Sequence, residues 1–147
     1  MYKRQNHASG NKSVTKAAAS VAASATHSHE IDTLGYKYAA IDVVFSPFTA
    51  ATTSYASVLK VQESDASGSG QADVSGLSVT AGAGSTTGAN VGAVARFNID
   101  LRGRKRYLTV VTSPGNTVAV VTNARLTKAE QGAYDATTAN VNDYKSL

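Results

Sequence analysis

The sequence has no cysteine, which excludes a disulfide framework, a thiolate metal site and a cysteine nucleophile. Tryptophan is also absent, and the chain holds only three Phe and one Met. A core built with so few large side chains must draw on small ones, and the 42% hydrophobic content leans heavily on Ala. No apolar run approaches the ~20 residues that a membrane-spanning helix needs. Met1-Tyr2-Lys3-Arg4 has the charge of a signal-peptide start. Residues 5–16 are mostly Gln, Asn, Ser, Lys and Thr, however, so the required apolar stretch does not follow. The expectation is a soluble, unprocessed chain with no membrane association.

Ala, Ser, Thr, Gly and Val dominate what is present. That bias suits thin β-sheets and extended loops better than a Leu-rich helical bundle. A chain of 147 residues fits one domain and an appendage. A core of small residues is marginal at this size, so part of the stability is expected from oligomerisation or docking on a partner.

Charge is unevenly placed. Residues 1–29 contain Lys3, Arg4, Lys12 and Lys16 and no acid, while the other ten Lys and Arg are matched by all ten acids. The body is formally neutral and the N-terminal segment carries the net +4. Residues 1–16 lack apolar periodicity and read as a disordered arm when free. Residues 17–29 read as an extended segment or edge strand, because their Ser and Thr compete with helical backbone bonding.

From residue 35 the alternation sharpens. Ala39, Ile41, Val43 and Phe45 share one face of a strand that Pro47 is expected to end. Leu59 and Val61 mark a second strand over 57–63, followed by a turn-rich stretch at 64–71. A short strand fits 74–80, and residues 81–92 read as a low-complexity surface loop. The strongest pattern is Ala93, Ala95, Phe97, Ile99 and Leu101. Strands over 107–112 and 117–126, separated by Ser113-Pro114-Gly115-Asn116, suggest a hairpin. Residues 127–147 read as a tail, with a short helical turn near 127–134. These elements predict an all-β fold, an antiparallel β-sandwich or jelly-roll-like body (31–126), with an extended N-terminal arm (1–30) and a C-terminal tail (127–147).

The acids are dispersed over strand exteriors and loops, and no pair suited to acid–base catalysis stands out. No Gly-x-Ser-x-Gly elbow and no phosphate-binding Gly loop occur. No cofactor is expected, and the chain is read as no enzyme. His27 and His29, beside Glu30, would share one face of an extended segment and are the candidate metal ligands. Third and fourth ligands are not identifiable, so two exposed histidines ahead of the first strand is the preferred reading. The loop Glu63 to Gly68 carries oxygen ligands but lacks the closing Glu of a calcium loop. Arg102, Arg104, Lys105 and Arg106 form the densest cationic run. Local ion pairs with Asp100, Asp42 or Glu63, or a protein contact, are favoured there over nucleic acid, since no aromatic stacking platform accompanies them.

The stretches Ile31-Asp32-Thr33-Leu34-Gly35-Tyr36, Ile41-Asp42-Val43-Val44 and Val61-Gln62-Glu63-Ser64-Asp65 resemble a family of small tailed-bacteriophage virion proteins. The run from Phe97 to Leu108, a strand, a basic corner and a strand, fits the same pattern. The resemblance covers roughly residues 31–126 and is similar to capsid decoration (cement) proteins. It implies a subunit on the outer surface of the virion capsid, made in the host cytoplasm, that bridges neighbouring major capsid proteins. It also implies a homo-oligomer, a trimer being favoured. Lys3, Arg4, Lys12, Lys16, Arg102, Arg104, Lys105 and Arg106 are the expected capsid or partner contacts, and removal of residues 1–16 is expected to leave the body folded. A tail, head-completion or fibre-base protein, and after these a carbohydrate-binding β-module, are the alternatives.

Overall fold

The computed structural model of the chain describes residues 11–49, 55–79, 90–128 and 143–146. Nine strands are present among them and no helix: β1 (Asn11–Val21), β2 (His27–Asp32), β3 (Tyr38–Phe48), β4 (Ala56–Ser64), β5 (Ala72–Val79), β6 (Val91–Asp100), β7 (Tyr107–Pro114), β8 (Val118–Thr127) and β9 (Asp143–Ser146). One sheet has the order β1-β8-β3-β6-β9 and the other β2-β7-β4-β5. The antiparallel pairs β1–β8, β2–β7, β3–β6 and β4–β5 nest inside one another, as in a long ribbon folded at the β4–β5 turn. Distributing those pairs over two facing sheets gives a jelly roll. The β-sandwich expectation is met.

The core lies between the sheets and follows the period-two pattern. Ile41, Val43 and Phe45 on β3, Ala95, Phe97 and Ile99 on β6, and Val120, Ala124 and Leu126 on β8 are all buried. Leu59, Val61, Leu77, Leu108 and Val110 face them from the other sheet. Aromatic bulk is concentrated at one end, where the Phe45 ring lies 5.1 Å from that of the fully buried Tyr55 and 6.4 Å from that of Phe48.

Several elements differ from the sequence expectation. β7 and β8 are not a hairpin: they lie in opposite sheets. The Pro114-Gly115-Asn116 turn spans the sandwich instead of joining neighbours, and its Gly115 amide donates to the Tyr55 carbonyl at 3.0 Å. Pro47 does not end β3. It sits in a bulge between Phe45 and Phe48, where the pairing with β6 slips by one residue, and a bulge tolerates the missing amide. The apolar period of β5 breaks between Val74 and Leu77 because Gly76, at φ 83°, places an irregularity in the β4–β5 pairing. Residues 11–30, placed in the arm on sequence grounds, include β1 at an edge of one sheet and the first four residues of β2 at an edge of the other. The tail contributes β9, which runs parallel to β6. Of the loop read over 81–92, Val91 and Gly92 belong to β6, and Thr127, at the start of the helical turn read near 127–134, ends β8; residues 81–89 and 129–134, with Lys3 and Arg4, lie outside the described residues.

Candidate interaction surface at the ion-paired end

One end of the sandwich gathers the C-terminal ends of β2, β4, β6 and β8 and the N-terminal ends of β1, β3, β5 and β7. The register fixes this: Asp32 and Ser64 both lie opposite Tyr107, and Asp100 and Thr127 both lie opposite Tyr38. The connections β2–β3, β4–β5 and β6–β7 therefore meet there. The sequence stretches at 31–36, 61–65 and 97–108 converge on this end.

Each cation of the basic corner has an acidic partner. Arg102 pairs with Asp100 at 2.5 Å, Arg104 with Glu63 at 3.7 Å, Lys105 with Asp65 at 2.9 Å, and Arg106 with Asp32 at 2.7 Å. The Arg102 and Arg106 contacts are forked, each guanidinium meeting both carboxylate oxygens. Hydrogen bonds from Arg106 and from the Leu34 amide hold the Asp32 carboxyl down to about 2. Arg102 likewise lowers Asp100, and the Asp65 carboxylate raises Lys105. These four cations and four carboxylates compensate one another, and the Glu63 and Asp65 oxygens that a calcium loop would use are turned to cations. Of the acids expected as partners, Asp100 and Glu63 serve the corner. Asp42 pairs with Arg96 across the β3–β6 ladder, its Oδ2 accepting from Nη2 at 2.8 Å.

Backbone bonds stiffen the same end. The Thr33 amide and hydroxyl both donate to the Arg106 carbonyl, at 3.0 and 2.6 Å. Glu30 reaches the β4–β5 connection, accepting from the Ser67 hydroxyl at 2.5 Å and the Gly68 amide at 2.7 Å, which lowers its carboxyl. Leu34 projects from this braced frame with 65% of its surface exposed. Cations stand over three tyrosine rings: Arg102 over Tyr38 at 5.4 Å, Arg106 over Tyr107 at 4.9 Å and Lys128 over Tyr36 at 6.0 Å.

The remaining candidates lie along the β1–β2 edge. Register with β8 puts Lys12 and Lys16 on the same side of β1 as the buried Leu126, Ala124 and Thr122 are on β8. Lys16 Nζ crosses the gap between the sheets and donates to the Ser28 carbonyl at 2.6 Å. His27 and His29 were expected to be exposed. Both are 95% buried and point inward in alternation with Ser28 and Glu30, opposite Thr112 and Val110 of β7. Burial and the Lys16 charge lower both imidazoles. A hydrogen bond to the Thr122 backbone ties His29 to the facing sheet and partly offsets this. No group of three or more His, Cys, Asp or Glu suited to a metal occurs among the described residues. The ammonium beside the two rings also opposes a bound cation.

Sequence reasoning missed the acidic halves Asp32 and Asp65 and the burial of the histidines. The first are 74 and 40 residues from their partners. The second hid in a polar run whose inward positions alternate as regularly as an apolar strand does.

No helix among the described residues is long and apolar enough to cross a membrane. No protein-family model matches the chain, and no curated protein matches its sequence. Among solved structures the chain is similar to the PBSX exported protein XepA, at 17% identity and a TM-score of 0.44. The match covers 83% of this chain and 39% of that one. It is similar to the GH115 4-O-methyl-alpha-glucuronidase BtGH115A at 12% identity and a TM-score of 0.42, over 85% of this chain and 17% of that one. The Tobacco streak virus coat protein follows at 11% identity and 0.33, over 86% and 91% of the two chains. The chain thus spans well under half the length of the first two proteins.

Proposed function

We propose that the chain is a non-enzymatic structural component of a tailed-bacteriophage virion, a capsid decoration protein that sits on the outer shell and bridges neighbouring major capsid proteins. The observation that supports this reading is the convergence of three of the four family-like stretches, 31–36, 61–65 and 97–108, on one end of the jelly roll. There they build a braced, charge-compensated surface. Four ion pairs and the Thr33–Arg106 bonds hold that surface in one shape. A rigid surface of alternating charge, with Leu34 at its front, suits repeated docking on a regular lattice, where many modest contacts add through avidity. Trimers on threefold or quasi-threefold positions are the assembly this reading favours.

The arm's share of the binding requires a shorter deletion than the sequence suggested. Removing residues 1–16 would take six residues of β1 with it and strip β8 of its partner from Thr127 to Thr122. Removal of residues 1–10 leaves β1 whole and is the variant that isolates the arm.

The test is cryo-electron microscopy of the assembled particle with the subunit counted by quantitative gel. Hundreds of copies at repeating surface positions are expected. A dozen or fewer, confined to a vertex or the tail, would replace decoration by a tail, fibre-base or head-completion role. A particle without the protein would overturn the virion reading. Against the carbohydrate-binding alternative stands the occupation of the tyrosines, since Tyr36, Tyr38 and Tyr107 each have one ring face taken by a cation.

A further inference from the structure

The edge between β1 and β2 is built differently from the rest of the sandwich. Along β3 and β6 the inward positions are aliphatic or aromatic. Here they are His27, His29, Thr112 and Thr122, all buried. His27 Nε2, His29 Nδ1 and Thr122 Oγ1 find no hydrogen-bonding partner among the described residues. Lys16 closes the edge over them by its bond to the Ser28 carbonyl. A buried polar group without a partner costs free energy, and a buried charge without one costs more.

The charges around the two rings are all of one sign. From β1 comes Lys16, while Lys12 lies nearer Asp32. From β8, across the core, the inward residues are Val118, Val120, Thr122, Ala124 and Leu126, and from β7, alongside, they are Leu108, Val110 and Thr112. None of these is ionisable. On β2 itself Glu30 and Asp32 occupy the opposite face, bound to Ser67 and Gly68 and to Arg106. A proton on either imidazole would therefore meet the Lys16 ammonium and the other ring, with no carboxylate to offset it.

We propose that His27, His29 and Lys16 form an acid-sensitive latch: proton uptake by the two buried rings detaches β1 from the edge of the sandwich while the β3–β6 centre stays paired. β1 is the element that moves because it has least to lose. Of its eleven residues only Val21 is buried, whereas β2 carries the fully buried Ile31. Detachment takes Lys16 away and lets water reach both rings. Strands of low burial are where local opening occurs first. This inference is independent of the virion reading: it concerns the free chain and holds or fails in solution.

The direction follows from linkage. Both imidazoles are lowered from 6.5 in the closed state and regain ordinary values once exposed. The closed edge is favoured fully above about 6.5. As pH falls from there towards the lowered values, the opening constant grows by up to about tenfold per pH unit for each ring. Asp32, held down to about 2, does not titrate in that range.

Native-state hydrogen exchange on the full chain between pH 7.5 and 5, corrected for the intrinsic rate, tests the latch. The amides of the β1–β8 ladder are expected to lose protection steeply below pH 6.5 while those of the β3–β6 ladder keep theirs. Lys16→Met should shrink the step without abolishing it, because loss of the ammonium brings the closed-state imidazoles nearer their ordinary value while the rings stay buried, and the double variant His27→Gln/His29→Gln should abolish it. Unchanged β1 protection down to pH 5, or parallel loss in every strand, would overturn the proposal, as would a folded double variant that keeps the step. Should that variant fail to fold, imidazole titration of the wild type by NMR decides. Both rings staying neutral until β1 opens supports the latch, and a ring that titrates near 6.5 with β1 closed refutes it.

Discussion

Gly92 lies on β6 opposite the β3 bulge, at the end of the sandwich remote from the ion pairs, and its lack of a side chain is a structural requirement there. A Cβ at this position would stand 2.7 Å from the Phe45 carbonyl oxygen and 3.6 Å from the Pro47 nitrogen. The first contact is with backbone, so no rotamer change relieves it. The bulged strand itself must move by several tenths of an ångström, and Phe45, whose ring packs on Tyr55 and Phe48, must move with it. Overpacking of that kind costs about 1–3 kcal/mol. At the middle of that range the Gly92→Ala variant has an unfolding constant raised about thirtyfold, since 1.4 kcal/mol is tenfold. Urea denaturation followed by tyrosine fluorescence reads this as a lowered midpoint at unchanged slope. A midpoint indistinguishable from the wild type would show that the bulge relaxes freely and that the close approach of β6 to Phe45 is not required.

The half-buried Arg96–Asp42 pair offers a second test: Asp42→Ala leaves a guanidinium facing the middle of the sheet and should cost about 1–3 kcal/mol by denaturation, more than Arg96→Met, which keeps the apolar stem. Equal losses would mean that the charge contributes nothing beyond packing. At the exposed end, Asp32 with its carboxyl at about 2 favours folding above its ordinary 3.8, and that contribution disappears as pH falls through about 2. The Asp32→Asn variant should lose the corresponding acid-limb slope. Its coupling to Arg106 in a double-mutant cycle should shrink as salt rises from 0.1 M to 1 M, where screening shortens to about 3 Å. Coupling that is absent at low salt would leave Arg106 available to a partner.

The elements legible in the sequence are those whose burial is asymmetric. β3, β6 and β8 each bury one face of large or β-branched residues and expose the other, so their alternation is written in the residue types. β1 is an edge strand with little burial on either face, and no alternation is available to betray it. β2 alternates, but with His27 and His29 in two of its three inward places, and hydropathy reads those as polar. The β7–β8 connection failed for a different reason. Pro-Gly-Asn specifies a reversal of the chain, and a reversal between two sheets uses the same residues as one within a sheet.

The candidate surface was legible only as its parts. The cationic run from Arg102 to Arg106 is visible at once because its members are adjacent, and of its acids Asp100 and Glu63 were among the expected partners. Asp100 is two residues from its partner, but Asp32, Glu63 and Asp65 are brought to the same end only by the jelly-roll nesting of β2, β4 and β7. Charge matching over such separations is a property of the topology. A chain whose corner bound nucleic acid would gain nothing from placing a carboxylate opposite every cation, because each ion pair must be broken before a phosphate can take the place of the acid. On the proposed reading, the same four pairs would present a protein partner with compensated charges, leaving shape and the exposed Leu34 to discriminate. Association should accordingly depend weakly on salt, whereas a phosphate-binding corner with four free cations would lose affinity steeply between 50 and 200 mM.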